Sequence, residues 1–208
     1  MCRYVRVLGD DFDGARAAAC AGEEWGFAVL YGEFAPSVLG FLRGRIPSDA
    51  EDVAATVWLD AARSLGRFEG DEAGFRAWLF TIVRRRLLNE LRRRRRDHAD
   101  LYDPVTLPVG TSAAPTRGAE NDPEAIVVAA FDAAEAVELI GRVLPELQAE
   151  VVLHRVVSGL SVTEIAELLG LTPGHVRVVA HRGLRALAAH FSHPVVTDGA
   201  SLVIPEVP

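Results

Sequence analysis

Ser161-Val-Thr-Glu164 is a capping-box pattern, and it opens the stretch that most constrains this chain. The serine oxygen accepts from the backbone of a new helix, and the glutamate three residues on accepts the serine N–H in return. Ile165, Ala166 and Leu169 then recur at helical spacing and mark an inner face, with Ala166 small where a second helix must cross. Gly170 stands at the break, where a positive φ is easiest for glycine. Thr172-Pro173 starts the second helix: threonine caps it, and proline sits in the first turn, where a missing N–H costs nothing. Val176 and Val179 bury it against the first helix. From Thr172 to Phe191 there is no acidic residue, but there are three arginines and three histidines. The register over Val162–His181 is that of a helix-turn-helix, whose second helix enters the major groove. An ordinary αα-hairpin shares the spacing but has no need of an acid-free second helix.

A second cationic element lies upstream. Eight of the thirteen residues from Arg84 to Arg96 are arginine. On a helix, Leu87, Leu88 and Leu91 form an apolar stripe, while Arg85, Asn89, Arg92 and Arg96 share another face. That is an anchored helix with a cationic side rather than a loose basic tail. Guanidinium groups suit phosphate oxygens and stack on unpaired bases. A solvated arginine face is the bland alternative. Phe68, Phe75, Trp78 and Phe80 cluster just before it. Phe75, Trp78 and Leu79 have core spacing, so the polar loop Glu69–Gly74 is the better place to hold an extruded base.

The total charge of −7 argues against nucleic acid only if it is evenly spread. It is not: residues 25–96 carry +4, residues 97–133 carry −6, and residues 134–191 carry −1. Partners respond to local fields. All 22 basic residues are arginine. The two cysteines, Cys2 and Cys20, have neither zinc-site spacing nor a disulfide framework. No uninterrupted apolar run approaches the ~20 residues that span a bilayer, and the chain is expected to be soluble and cytoplasmic.

The fold expected is all-α: two small helical domains joined by a flexible acidic linker, the second containing the helix-turn-helix. An N-terminal arm covers 1–24 and the first domain 25–96. The linker runs over 97–133 and holds prolines 104, 108, 115 and 123. The second domain covers 134–191, with helix resuming near Glu124, and a tail covers 192–208. In the first domain, Phe27, Leu30, Tyr31 and Phe34 mark one helical face, continued by Val38, Leu39 and Leu42 after Pro36. A helix from Ala50 to Leu65 turns Val53, Val57 and Ala61 inward, and a third begins near Phe75.

These residues reach a family. Asp49-Ala-Glu-Asp-Val53, Arg67-Phe-Glu-Gly70 and Phe75-Arg-Ala-Trp-Leu-Phe-Thr-Ile82, followed by the arginine helix, resemble the second conserved region of the extracytoplasmic-function sigma factors of bacterial RNA polymerase. Leu144-Pro-Glu-Leu-Gln148, Gly159-Leu-Ser161, Glu164-Ile-Ala166, Leu169-Gly170 and His181-Arg182 resemble their fourth region. The chain departs from the common pattern at Ala55-Thr56, at Arg85 after Val83-Arg84, and at Val178-Val179.

The resemblance implies a sigma factor that binds core RNA polymerase through its clamp helices and flap, reads a minus-thirty-five element with the second domain and melts a minus-ten element with the first. It implies that the linker lies in a channel meant for RNA, and it admits an anti-sigma factor as a further partner. Upstream reading is expected of Thr172, His175, Arg177, Val178, His181, Arg182 and Arg185. Arg177 suits a guanine edge and Val178 a thymine methyl, while Arg182 and Arg185 suit phosphate. Melting is expected of Arg84, Arg85, Asn89, Arg92, Arg93 and Arg96. Polymerase contact is expected of Asp49, Asp52, Thr56 and Leu59. His154 is expected to be partly buried or to touch the flap. No catalytic residue, metal, cofactor, membrane or small-molecule substrate is assigned: no glycine-rich phosphate loop and no nucleophile–base–acid set is present. Two rivals stand beside this reading. One is a two-domain activator that recruits polymerase without being a subunit. The other is an arginine-rich RNA-binding adaptor.

Overall fold

The computed structural model describes residues 8, 9, 11–99 and 133–192. Among these there are eight α-helices and no strand: α1 (Asp11–Cys20), α2 (Glu24–Arg43), α3 (Ala50–Ser64), α4 (Glu72–Ala99), α5 (Ala133–Val143), α6 (Glu146–Val156), α7 (Val162–Leu169) and α8 (Pro173–Ser192). Most of the linker, the start of helix near Glu124 and all of the tail after Ser192 lie outside the described residues.

The first module forms around α2. Leu30, Phe34, Val38, Phe41 and Leu42 are buried from it, Val53, Val57 and Ala61 from α3, and Phe75, Leu79, Phe80, Val83 and Leu87 from α4. α2 runs through Pro36 without ending. A proline inside a helix loses one backbone bond and costs ~3 kcal/mol, which burial on both sides of it outweighs. By length and composition α2 is apolar enough to cross a bilayer, but its apolar residues form the centre of this core. The arm also contributes: α1 packs along α2, and Phe12 reaches Phe75 with ring centroids 5.6 Å apart.

The second module follows the sequence reading closely. Ser161 N–H donates to Glu164 Oε2 at 2.7 Å, and Glu164 N–H donates to Ser161 Oγ at 3.2 Å, so the capping box is complete. Gly170 closes α7 in the left-handed region at φ 68°. His175 N–H donates to Thr172 Oγ1 at 3.2 Å, which caps α8. Ile165, Ala166, Val176 and Val179 are buried between α7 and α8.

The two modules also touch one another. Their buried residues form one continuous core, and α2 meets α5 while α4 meets α7. At the crossing, a Cβ on Gly141 would overlap the Gly44 carbonyl oxygen, and one on Gly44 would meet Leu153 Cδ1 at 2.8 Å. The missing Cβ of Gly141 is what lets these backbones approach so closely.

Candidate nucleic-acid interface

The reading helix α8 presents its chemistry outward. Thr172, His175, Arg177, Val178, His181, Arg182 and Arg185 are all exposed, and Val178 keeps 47% of its surface. An exposed valine beside an arginine is poor for solubility and suited to a base edge that carries a methyl group.

The arginine helix α4 is less free than its composition suggests. Arg86 donates to both oxygens of Asp60, at 2.6 and 2.7 Å, and Arg85 to Asp60 Oδ2 at 2.9 Å. These guanidinium groups, Arg86 first, hold the Asp60 carboxyl below the usual carboxylate range. Arg93 donates to Glu90 at 2.7 Å and to Asp97 at 3.1 Å. Arg84 donates to Glu150 of α6 at 3.1 Å. Among the described residues, Arg92 donates to the Asn89 side-chain oxygen at 3.1 Å. Arg92, Arg95 and Arg96 make no ion pair among the described residues, and all three are exposed. The free positive charge therefore lies toward the C-terminal half of α4. Asp60 was missed in the sequence because its partners lie 25 and 26 residues away.

The aromatic cluster is core, as its spacing implied. Phe68, Phe75 and Phe80 are buried. Trp78 is half-buried and lies 5.3 Å from both Phe68 and Phe75. The loop before α4 is held by Asp71, whose side chain accepts from Gly74 N–H at 2.8 Å, and Glu69, Gly70 and Asp71 are exposed.

The four polymerase candidates divide. Asp52 is exposed, and Leu59 keeps 56% of its surface. Thr56 is half-buried and spends its hydroxyl on the Asp52 carbonyl. Asp49 is committed inside the chain: it accepts from Arg94, which lowers its pKa and ties the start of α3 to α4. Leu59 instead belongs to an apolar groove between α2 and α3 of about 920 Å³, lined by Phe27, Tyr31, Leu39, Ala55 and Trp58 as well. Tyr31 and Trp58, with ring centroids 4.9 Å apart, form its wall, and Tyr31 is 48% exposed. The sequence put Tyr31 on one helical face with Phe27, Leu30 and Phe34; it lies at the exposed edge of that face.

His154 is fully buried rather than partly so, and it touches the first module. Its ring stacks on Phe41 at 4.3 Å and meets the edge of Phe80. Its Nδ1 lies 3.3 Å from Ser158 Oγ. Burial, then the charges of Arg84 and Arg45, push its pKa down to about 3, so the ring is neutral.

Two comparisons with family models match this geometry. Residues 30–97 match sigma-70 region 2, and residues 135–187 match sigma-70 region 4. The chain is 32% identical over 189 residues to the ECF RNA polymerase sigma factor SigD of Mycobacterium tuberculosis, covering 88% of this chain and 85% of that one. It is 31% identical over 168 residues to the RNA polymerase sigma factor CarQ of Myxococcus xanthus, covering 80% and 89%. Among solved structures, CnrH in complex with the cytosolic domain of CnrY has the same fold, with a TM-score of 0.56, 21% identity, and coverage of 88% of this chain and 98% of that one.

Proposed function

The chain belongs to the extracytoplasmic-function sigma factors of RNA polymerase, and we propose that its modules divide initiation between α8 and α4. As a sigma factor it binds core polymerase, recognises the two promoter elements and melts DNA to start transcription. In our reading α8 enters the major groove upstream, with Arg177 forked onto a guanine edge, Val178 and His181 on neighbouring base edges, and Arg182 and Arg185 on phosphate. Melting belongs to α4. Arg92 and Arg96 hold the backbone of the opened strand, and Arg85 joins them when a phosphate displaces it from Asp60. Unpaired bases settle on the Glu69–Gly74 loop and the open edge of Trp78.

The groove between α2 and α3 is the proposed seat of the polymerase clamp helices, with Leu59 in its lining, the Arg43–Glu51 ion pair at its charged end and Asp52 exposed next to Glu51 on α3. An apolar centre with a charged rim is the usual anatomy of a protein interface. Asp49 drops from that surface because its carboxylate holds Arg94. An anti-sigma factor would compete for the same groove, and the second module would meet the flap. The place of action is the cytoplasm, where polymerase is.

The observation that carries this division is the combination of an exposed, acid-free reading helix with a second arginine helix that a simple activator does not need. Run-off transcription with purified core polymerase on genomic fragments tests it. Transcripts that start at defined sites only when this chain is added are expected. A tight sequence-specific footprint by the chain without polymerase would favour the activator instead.

A further inference from the structure

We propose that the N-terminal arm is a positioning element for promoter melting: α1 braces the Glu69–Gly74 loop from behind, and Phe12 is the positioning residue that sets how the loop meets an extruded base. The inference rests on the reading of that loop as a base-holding surface.

α1 precedes the part of the chain that matches region 2, which starts at residue 30. It is nonetheless pressed hard onto the first module. A Cβ on Gly26 of α2 would stand 2.5 Å from the Ala15 carbonyl oxygen and 2.5 Å from the Ala19 nitrogen, so the two helix backbones touch there. Ala15 and Ala18 are buried at the same contact. So close a fit fixes where α1 sits, and it sits behind the loop.

The arm then meets the frame of the loop at three places. On the near side, the Cys20 thiol donates weakly to the Leu65 carbonyl at 3.7 Å, and α1 packs on the turn Leu65–Arg67. On the far side, Gly9 N–H donates to Glu72 Oε2 at 3.0 Å, in the first turn of α4. The other Glu72 oxygen accepts from Arg76 at 3.1 Å, and the Arg76 guanidinium lies 4.9 Å over the Phe34 ring. Between them, the buried Phe12 meets Phe75 at 5.6 Å. Phe75 in turn meets Phe68 at 5.4 Å and Trp78 at 5.3 Å.

The loop is folded over those rings. A Cβ on Gly70 would reach Phe68 Cζ at 3.0 Å, and one on Gly74 would reach Asp71 Oδ1 at 3.2 Å. The loop therefore follows Phe68, Phe68 follows Phe75, and Phe75 is backed by Phe12. A void left behind one ring is filled only by moving the next, because interiors are close-packed. A binding constellation has to be held to about 0.5 Å. Phe12 does not line the groove proposed for polymerase, so core binding is separable from the arm.

The test is binding of the holoenzyme to DNA with an intact upstream element and a pre-opened downstream element whose unpaired bases are randomised. Phe12→Ala is expected to lower the ratio between preferred and rejected bases at one or two downstream positions by about fivefold or more, the lower end of what a stacked base contributes. Upstream preference and affinity for core polymerase should not change. Phe12→Leu refills most of the space and should restore most of the ratio. Gly26→Ala keeps Phe12 and favours the helix of α2, but drives a methyl into the α1 backbone, and should lower the ratio in the same way. It decides the matter should Phe12→Ala fail to fold, as read by lost affinity for core polymerase. Glu69→Ala, in the loop itself, separates the two levels of the account. If it flattens the downstream ratio while Phe12→Ala and Gly26→Ala leave it intact, the loop reading stands and the role of the arm falls. If Glu69→Ala leaves the ratio unchanged, the loop reading falls and the inference with it. Arm variants that weaken binding equally on every sequence would show a helix that only stabilises the fold, which also overturns the proposal.

Discussion

Single side chains decide both reading and stability. His154 carries its pKa of about 3 only while sealed against Phe41 and Phe80. Exposed, a histidine titrates near 6.5. Between those values the unfolded chain binds a proton that the folded chain does not. Stability is therefore intact above about pH 6.5 and falls as pH drops toward 3, by up to ~1.4 kcal/mol per pH unit. Arg84 of α4 and Arg45 after α2 face the ring and reinforce its neutrality, and each is paired with a carboxylate of α6, Arg45 with Glu146 and Arg84 with Glu150. Denaturant midpoints measured between pH 7 and 5 should fall for wild type as it is acidified and stay level for His154→Phe. Identical profiles for the two would remove His154 from the account. On the other side of the molecule, Arg177→Ala and His181→Ala are expected to relax preference at one or two upstream base pairs, by ~1–3 kcal/mol each. Binding to a library of upstream sequences in the holoenzyme measures this. A uniform loss across all sequences would mean that these side chains meet phosphate only.

At the level of elements, α4 and α7 carry the testable weight. α4 is a helix whose N-terminal half is core and whose C-terminal half carries the exposed Arg92, Arg95 and Arg96. Arg92→Ala and Arg96→Ala should leave upstream footprints intact and reduce open complex, more on linear than on supercoiled templates, because supercoiling supplies part of the melting energy. Each lost phosphate contact should lower the salt slope of binding by ~0.7–0.9. Permanganate reactivity of downstream thymines, read beside the upstream footprint, is the measurement. Variants that lose the footprint yet melt normally once bound would reverse the division of labour. α7 has only eight residues, too short to persist without its cap and its packing. Ser161→Ala removes one half of the capping box and should cost the second module ~0.5–2 kcal/mol, seen as a lower denaturant midpoint. No change in midpoint would mean that burial of Ile165 and Ala166 alone holds the helix.

The whole molecule combines a net charge of −7 with two local cationic helices. One of those helices is largely neutralised by Asp60, Glu90 and Glu150, and it faces Glu167 across the joint. The free chain is therefore expected to bind promoter duplex weakly and to gain specific binding only on core polymerase, which holds the modules apart on two sites at high effective concentration. Titration of labelled duplex with the free chain and with holoenzyme compares the two. Equal affinity would argue that polymerase adds nothing to promoter binding.

The helix-turn-helix, the arginine helix and the core faces of α3 and α4 were legible from sequence because each rests on local rules. A capping box acts over three residues, a glycine break on one φ, and an apolar stripe on 3.6-residue spacing. Ser161, Gly170, Thr172 and Val178 behave as their neighbours dictate. Distance along the chain hid the rest. Nothing near Arg85 in sequence reveals Asp60, nothing near Asp49 reveals Arg94, and nothing near His154 reveals Phe41. Gly44 and Gly141 read as ordinary glycines until their helices cross. Local periodicity thus determined which helices form and which faces are apolar. Tertiary packing alone decided which charges remain free and that the two modules share one core, because pairing across long loops depends on where the chain returns and leaves no mark on the intervening sequence.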